Sequence, residues 1–521
     1  MSRVRRVVLL LSLSLSGTVS AAPEGADVPY VPPEFLAVTP PLPAGVAGGN
    51  VLRLDLAETL RIAVRQNLDV VLERKQVVAA EYGIAVARGI FEPTVTAGYS
   101  HNDSQTPPAS LQEGEATDII TFVDDAWRIG LVQRFASGTR VDVEFSNGRA
   151  KSTGGTAVQP LNYRSTLGAT LTQPLFRGFS PDLAIPKLEV LRAKIASDRE
   201  RQQLTASIMT IVERAETAYW GVLLSLYRHD VAVRSYKAAE DQRTLTQRQI
   251  DAGLLPSSDL ISAESALAQR RVELLQAEEA TQASMDLLRS VMNLPRAEWS
   301  RPILPIDVPH FAPGGATAED SLVLALKNRP ELAQLDLDLK SALLSTRKAE
   351  NDRLPQVDLG LTGTLFGQDS EYRGALSQLS STDARAWGVF VNLIWTPLQR
   401  SSSAAAAIAR IQQDQTQVRK EQLVQAVWFE VREAVRNQVG AERRVKAAGT
   451  FRELAEKSLE IEQRKFLNGT SQNITVSQRQ DAVAAARLAE LDALLAHTRA
   501  RTTLFKATGR LLAERHIELT K

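Results

Sequence analysis

The chain has 521 residues, enough to bury a sizeable core, and 61 Lys and Arg against 60 Asp and Glu leave a formal charge of +1. That balance argues against a polyanion such as nucleic acid as partner. The absence of cysteine excludes thiolate metal sites, disulfides and cysteine nucleophiles, and no two of the five histidines (101, 229, 310, 497 and 516) stand at a ligand spacing.

The first element in chain order reads as an export signal. Arg3, Arg5 and Arg6 precede the apolar stretch 7–15, and Val19-Ser20-Ala21 supplies the small residues of a cleavage site. Residues 1–21 are therefore expected to be removed. No later apolar run reaches about 18 residues, so any membrane contact is expected from strands. Residues 22–51 hold seven prolines between Pro23 and Pro43 and read as an extended leader.

The remainder of the chain reads as a duplicated unit, 52–294 and 319–512, with a second Pro-rich connector at 295–318 and a tail at 513–521. In the first half a helix is predicted over 54–88, with Asn67 in mid-course and Phe91-Glu92-Pro93 at its end. The second half repeats this over 322–348, with Asn328 and Arg353-Leu354-Pro355. Asn to Pro is 26 residues in one half and 27 in the other. Each proline opens a region of period-two alternation, about 93–173 and 356–396, which closes on Pro174 or Pro397. A long helix comes next, then Gly253 or Gly469, then a return helix that stops at Asn293 or Gly509, 40 residues past the glycine in each half. Asn tolerates the left-handed cap conformation that Gly otherwise supplies.

The long helices carry heptads. Val427, Val431, Ala434, Gln438, Ala441 and Val445 follow a 3-4 spacing, echoed by Leu204, Ile208, Ile211, Ala215, Ala218 and Val222, and continued on the return helix by Leu260, Ala263, Leu267, Leu274 and Ala277. Pro174 to Gly253 is 79 residues and Pro397 to Gly469 is 72, a difference of one heptad that leaves the seam in phase. Helices of roughly 65 residues span on the order of 100 Å, more than a compact globule needs. Their seams must be buried against neighbouring helices.

The alternating segments have the opposite character. Trp387, Val389, Val391 and Leu393 share a face opposite Gly388 and Asn392, and Val141, Val143 and Phe145 alternate with Asp142 and Glu144. Strands of about ten residues, apolar on one side and polar on the other, are the pattern of a transmembrane β-barrel, although any one of them would also suit a half-buried sheet. The first half offers four strands (93–101, 126–135, 139–147 and 163–173, with a turn at 136–139), and the second offers two (356–366 and 386–396).

The helix–Pro–strand–Pro–long-helix–Gly–helix layout, with Gln173-Pro174-Leu175-Phe176, Ala252-Gly253-Leu254 and Asn468-Gly469-Thr470, resembles the TolC-like outer-membrane efflux proteins over residues 52–512. The resemblance implies a mixed fold: a homotrimer whose strands form one transmembrane β-barrel in the outer membrane of a Gram-negative bacterium, continuous with a long periplasmic α-helical coiled-coil barrel. It implies a passive, non-enzymatic duct without cofactor or bound metal, with a periplasmic adaptor and an inner-membrane transporter as partners. The helix elbows would meet the adaptor, which gives Gly253, Leu254, Leu255, Gly469 and Thr470 that role. The family pattern of four strands per protomer leaves the extra hairpin of the first half as an extension beyond the membrane, and six strands each is the alternative.

The periplasmic gate departs from the best-known members, which place two acidic rings in a G-T-R-T-I-V-D-V-L-D-like run and brace the tip with a bond from its Arg to an Asp of the first elbow. Here the run is Gly469-Thr470-Ser471-Gln472-Asn473-Ile474-Thr475-Val476-Ser477-Gln478. Asp259 stands at the first elbow, Ser471 replaces the arginine, and Thr475 and Gln478 replace both acids. The expected latch is an uncharged hydrogen bond, and the expected gate is poorly sensitive to polyvalent cations and closes with less dependence on pH. The function these residues imply is the exit duct of a tripartite efflux pump for drugs and other toxic small molecules. A type I protein secretion duct and a non-conducting coiled-coil envelope stalk are the alternatives.

Overall fold

The computed structural model describes residues 51–107, 119–152, 161–253, 256–315, 317–468, 470–471 and 473–518. The signal and nearly all of the leader lie outside the described residues, as do Leu254, Leu255 and Gly469. Two compact units are formed. Among described residues the larger takes 51–306, 317–438 and 499–518, and the smaller takes 307–315 and 439–498.

In the larger unit β1 (Leu52–Leu54) pairs in parallel with β6 (Ile303–Pro305), so part of the Pro-rich connector is a short strand. The single helix expected over 54–88 is two helices, α1 (Leu56–Gln66) and α2 (Leu68–Arg88). Asn67 breaks the run at φ −58°, ψ 130°, and its side-chain oxygen accepts from the Asp69 and Val70 amides at 2.9 and 3.4 Å, capping α2. The second half breaks in the same way between α5 (Ala318–Asn328) and α6 (Pro330–Asn351), where Pro330 stands in the first turn and needs no amide partner.

Six strands form one sheet: β2 (Thr94–Thr106), β3 (Ile120–Arg134), β4 (Arg140–Ser152), β5 (Leu161–Pro174), β7 (Gln356–Asp369) and β8 (Arg385–Ile394). They stand in that order and every neighbouring pair is antiparallel. The extra hairpin is therefore part of the same sheet. Strands β3 and β4 lie between β2 and β5, because inserting two strands preserves the alternation of direction and leaves the ladder unbroken. All six strands belong to the larger unit, and those of the first half run further than predicted at the end away from the helices. A short helix between β7 and β8, α7 (Tyr372–Ser381), was not signalled by the alternation. It comes so close that a Cβ on Gly367 would sit 1.9 Å from the Ala375 carbonyl oxygen.

The long helices follow the expected plan, with α3 (Leu188–Asp251), α4 (Ser258–Met292), α8 (Arg400–Leu467), α9 (Asn473–Ala507) and a last turn, α10 (Leu511–Glu514). Asn293 ends α4 in the left-handed conformation (φ 49°, ψ 52°) and Gly509 follows α9 at φ 71°. Asn293 Nδ2 donates to the Gln66 carbonyl at 3.0 Å while Asn67 Nδ2 donates to the Val291 carbonyl at 2.9 Å, locking the α1–α2 break to the end of α4. The seam of the larger unit is buried: Ile208, Ile211, Ala215, Ala218 and Val222 on α3, and Val427, Val431 and Ala434 on α8 packed with Ala325, Leu504 and Ala507. The return positions Leu260, Ala263, Leu267, Leu274 and Ala277 are half-buried. In the smaller unit α8 meets α9 through Arg452–Glu490 at 2.7 Å and Arg487–Glu456 at 3.1 Å. Among the described residues no helix is long and apolar enough to cross a membrane.

Candidate functional site

Side chains alternate across a pleated strand and paired residues share a face, so the register defines the two sides of the sheet. One side carries Val95, Ala97 and Tyr99 on β2, Leu131, Ile129 and Trp127 on β3, and Val143 and Phe145 on β4. It continues with Ala169 and Leu167 on β5, Leu361 and Leu365 on β7, and Val389 and Trp387 on β8. Trp127 and Phe145 meet edge-on across the β3–β4 pair at 5.1 Å. This apolar band is open in the single chain, with Trp387 81 % and Ile129 48 % exposed. An exposed apolar surface of this extent needs an apolar surrounding. The other side is rich in Thr, Gly and charge, including Arg128, Asp142, Glu144, Thr170, Asp358 and Thr362.

The band ends at Tyr99 and Trp127 on β2 and β3 and one row earlier, at Phe145 and Leu167, on β4 and β5, where Asn147 and Ser165 follow. One row beyond Tyr99 and Trp127 stand His101, Asp125 and Arg149, with His101 Nδ1 2.7 Å and Arg149 Nη1 3.4 Å from the Asp125 carboxylate, which also accepts from Tyr99 Oη at 2.8 Å. This polar row explains why β2, β3 and β4 outlast the predicted alternation. The three strands continue past this row without the apolar and polar alternation that precedes it.

At the first elbow Gly253 is exposed at φ 72°, a conformation that favours glycine, and Pro256 and Ser257 lead into α4. Asp259 is half-buried in the first turn of α4 and accepts from Ser258 Oγ at 3.5 Å. At the second elbow Thr470 folds back, with its amide and Oγ1 both donating to the Lys465 carbonyl at 2.9 and 3.0 Å. Ser471 Oγ donates to Glu462 Oε1 at 2.5 Å. That bond, assisted by Lys465 and Arg479, holds the Glu462 carboxyl below its usual range against the opposing effect of desolvation. Thr475 is half-buried and Gln478 exposed on the first turns of α9. Glu462 is the elbow residue that sequence patterning misses. Its one signal is its position nine residues before Ser471, across the turn.

The family model of outer membrane efflux proteins matches residues 59–294 and 322–510. The chain belongs to the outer membrane efflux protein family. Membership makes it an outer-membrane channel protein and not an enzyme. The fold is also that of solved structures at low identity. A membrane protein from Pseudomonas aeruginosa is 17 % identical over 87 % of this chain and 93 % of its own, with a TM-score of 0.63. The Campylobacter jejuni CmeC outer membrane channel is 12 % identical over 88 % and 86 %, with 0.64, and the open state of the Neisseria gonorrhoeae MtrE channel is 17 % identical over 88 % and 89 %, with 0.59. No curated protein sequence matches significantly. This efflux-family chain thus combines a sheet with one lipid-suited face and two helical elbows whose polar contacts are local.

Proposed function

We propose that this family member is the passive exit duct of a tripartite efflux pump, carrying small toxic molecules across the periplasm and outer membrane. Three copies share one barrel and one helical tube, and the two tandem family matches support an internal duplication of each copy. The observation that carries the reading is the six-stranded antiparallel sheet whose apolar face is continuous and whose opposite face is polar. Residues 1–21 direct export and 22–51 form the leader. The tips at Gly253, Leu254, Leu255, Gly469 and Thr470 receive the periplasmic adaptor, which joins the duct to an inner-membrane transporter. Asp259, Ser471, Thr475 and Gln478 form the gate.

Deleting the gene and measuring dye and drug accumulation in intact cells tests the assignment. The expected result is increased accumulation, reversed by the wild-type gene and not by a Gly253→Asp variant that still reaches the outer membrane. Normal accumulation together with loss of a secreted protein from the medium would replace efflux by type I secretion.

A further inference from the structure

We infer that the β3–β4 hairpin is part of the membrane wall, so that three copies of this chain close an eighteen-stranded barrel. The inference rests on the channel reading and gives that channel an exit wider than four strands per copy would build.

The position of the turn is the first argument. An extension beyond the membrane would carry its turn away from the helices, yet the turn at 135–139 lies at the helix end of the sheet. Gln133 Nε2 donates to the Phe91 carbonyl at 2.5 Å, just before β2 begins, and Thr139 Oγ1 donates to Gln173 Oε1 at 2.5 Å, just before β5 ends. A Cβ on Gly138 (φ 87°) would lie 3.3 Å from the Pro174 ring. The hairpin therefore starts and turns level with its neighbours.

The second argument is the face it presents. Trp127, Ile129 and Leu131 on β3 and Val143 and Phe145 on β4 fall in register with Tyr99, Ala97 and Val95 on one side and with Leu167 and Ala169 on the other. In the rows of Val95 and Ala97 the apolar band crosses the hairpin unbroken, and in the row of Tyr99 it stops at Trp127, opposite Asn147 on β4 and Ser165 on β5. A hairpin standing in water would have no use for such a face, whereas one in lipid requires it.

The third argument concerns closure. The edges β2 and β8 leave one side of their backbones unpaired, and in a bilayer those groups must be satisfied. The occupant we assign to each edge is a second copy of this chain. Six alternating strands make β2 and β8 antiparallel, so β8 of one copy beside β2 of the next continues the alternation, and such a head-to-tail contact closes as a ring. The helices beneath accept that ring. They stand in the same order as the strands they join: α2 to α3 through Arg201–Glu81 at 2.8 Å, α3 to α6 through Arg199–Asp338 at 3.0 Å, and α6 to α8 through Arg410–Glu350 at 2.6 Å. Twelve helices at the usual interaxial spacing occupy about 110 Å of circumference. Eighteen tilted strands occupy about 115 Å, a circumference close to that of the helices.

Cryo-electron microscopy of the wild-type oligomer in lipid nanodiscs counts the strands. Eighteen strands in the bilayer section are expected. Twelve strands with the hairpin outside the bilayer would overturn the inference and leave the channel intact, and a section without a barrel would overturn both. Because the chain has no cysteine, single replacements give a second reading in intact outer membranes. Ile129→Cys and Val143→Cys should react with a water-soluble maleimide at least tenfold more slowly than Glu144→Cys on the opposite face. Equal rates at all three positions would contradict the wall.

Discussion

At the scale of single residues, the second elbow shows how one replacement redirects a contact. With serine in place of the arginine found in the best-known relatives, residue 471 turns its hydroxyl to Glu462 on its own side of the elbow, so the bond has a charged acceptor after all. The pH sign follows from the lowered carboxyl of Glu462. The bond contributes fully above the ordinary glutamate value of 4.5 and is lost as pH falls through the lowered value. Ser471→Ala removes the largest cause of the shift, so the acid-induced change in open probability should move up toward that ordinary value. Recording open probability against pH for both proteins checks this, and identical profiles would show that the Ser471–Glu462 bond takes no part in gating. Gly253, Asn293 and Gly509 were legible as left-handed positions because few residues accept that conformation. Asn67 was legible only as a landmark. That it caps a helix and breaks the run depends on its bonds to Asp69 and Val70 amides, which spacing alone does not reveal.

At the scale of elements, the heptad seams and the strand pattern carried most of the information, because both express the burial of one face. The α7 helix stayed hidden because its ten residues lie between strands and bury little beyond Ala375. Contacts between distant elements were equally invisible. Glu216 on α3 is 1 % exposed and accepts from Thr502 Oγ1 on α9 at 2.7 Å and from Arg515 Nε, just past α10, at 3.0 Å. Removing the guanidinium strands a buried carboxylate, so Arg515→Met should destabilise the protein by about 3 kcal/mol or more. Adding Glu216→Gln should recover part of that loss. Thermal melting of the two variants in detergent checks the order, and an unchanged melting temperature for Arg515→Met would show the cluster to be dispensable.

At the scale of the whole molecule, family and fold class were readable because the layout is spread along nearly the entire chain, from Asn67 to Gly509. The strand arrangement was not. The sequence contains six alternating segments, but whether an inserted hairpin joins a sheet or leaves it is decided by the register of β2 with β3 and of β4 with β5. Thr475 and Gln478 of the proposed gate carry no charge, and the Glu462 carboxylate is engaged by Ser471 with Lys465 3.7 Å away. Polyvalent cations therefore find no ring of free carboxylates in that run. The most direct test of the duct is planar-bilayer conductance of the detergent-extracted oligomer, titrated with a trivalent cation. Stable unitary steps with little block by the cation are predicted, larger in Asp259→Ala, a substitution in the proposed gate. A flat trace from protein shown to have inserted, in both wild type and Asp259→Ala, would contradict the channel.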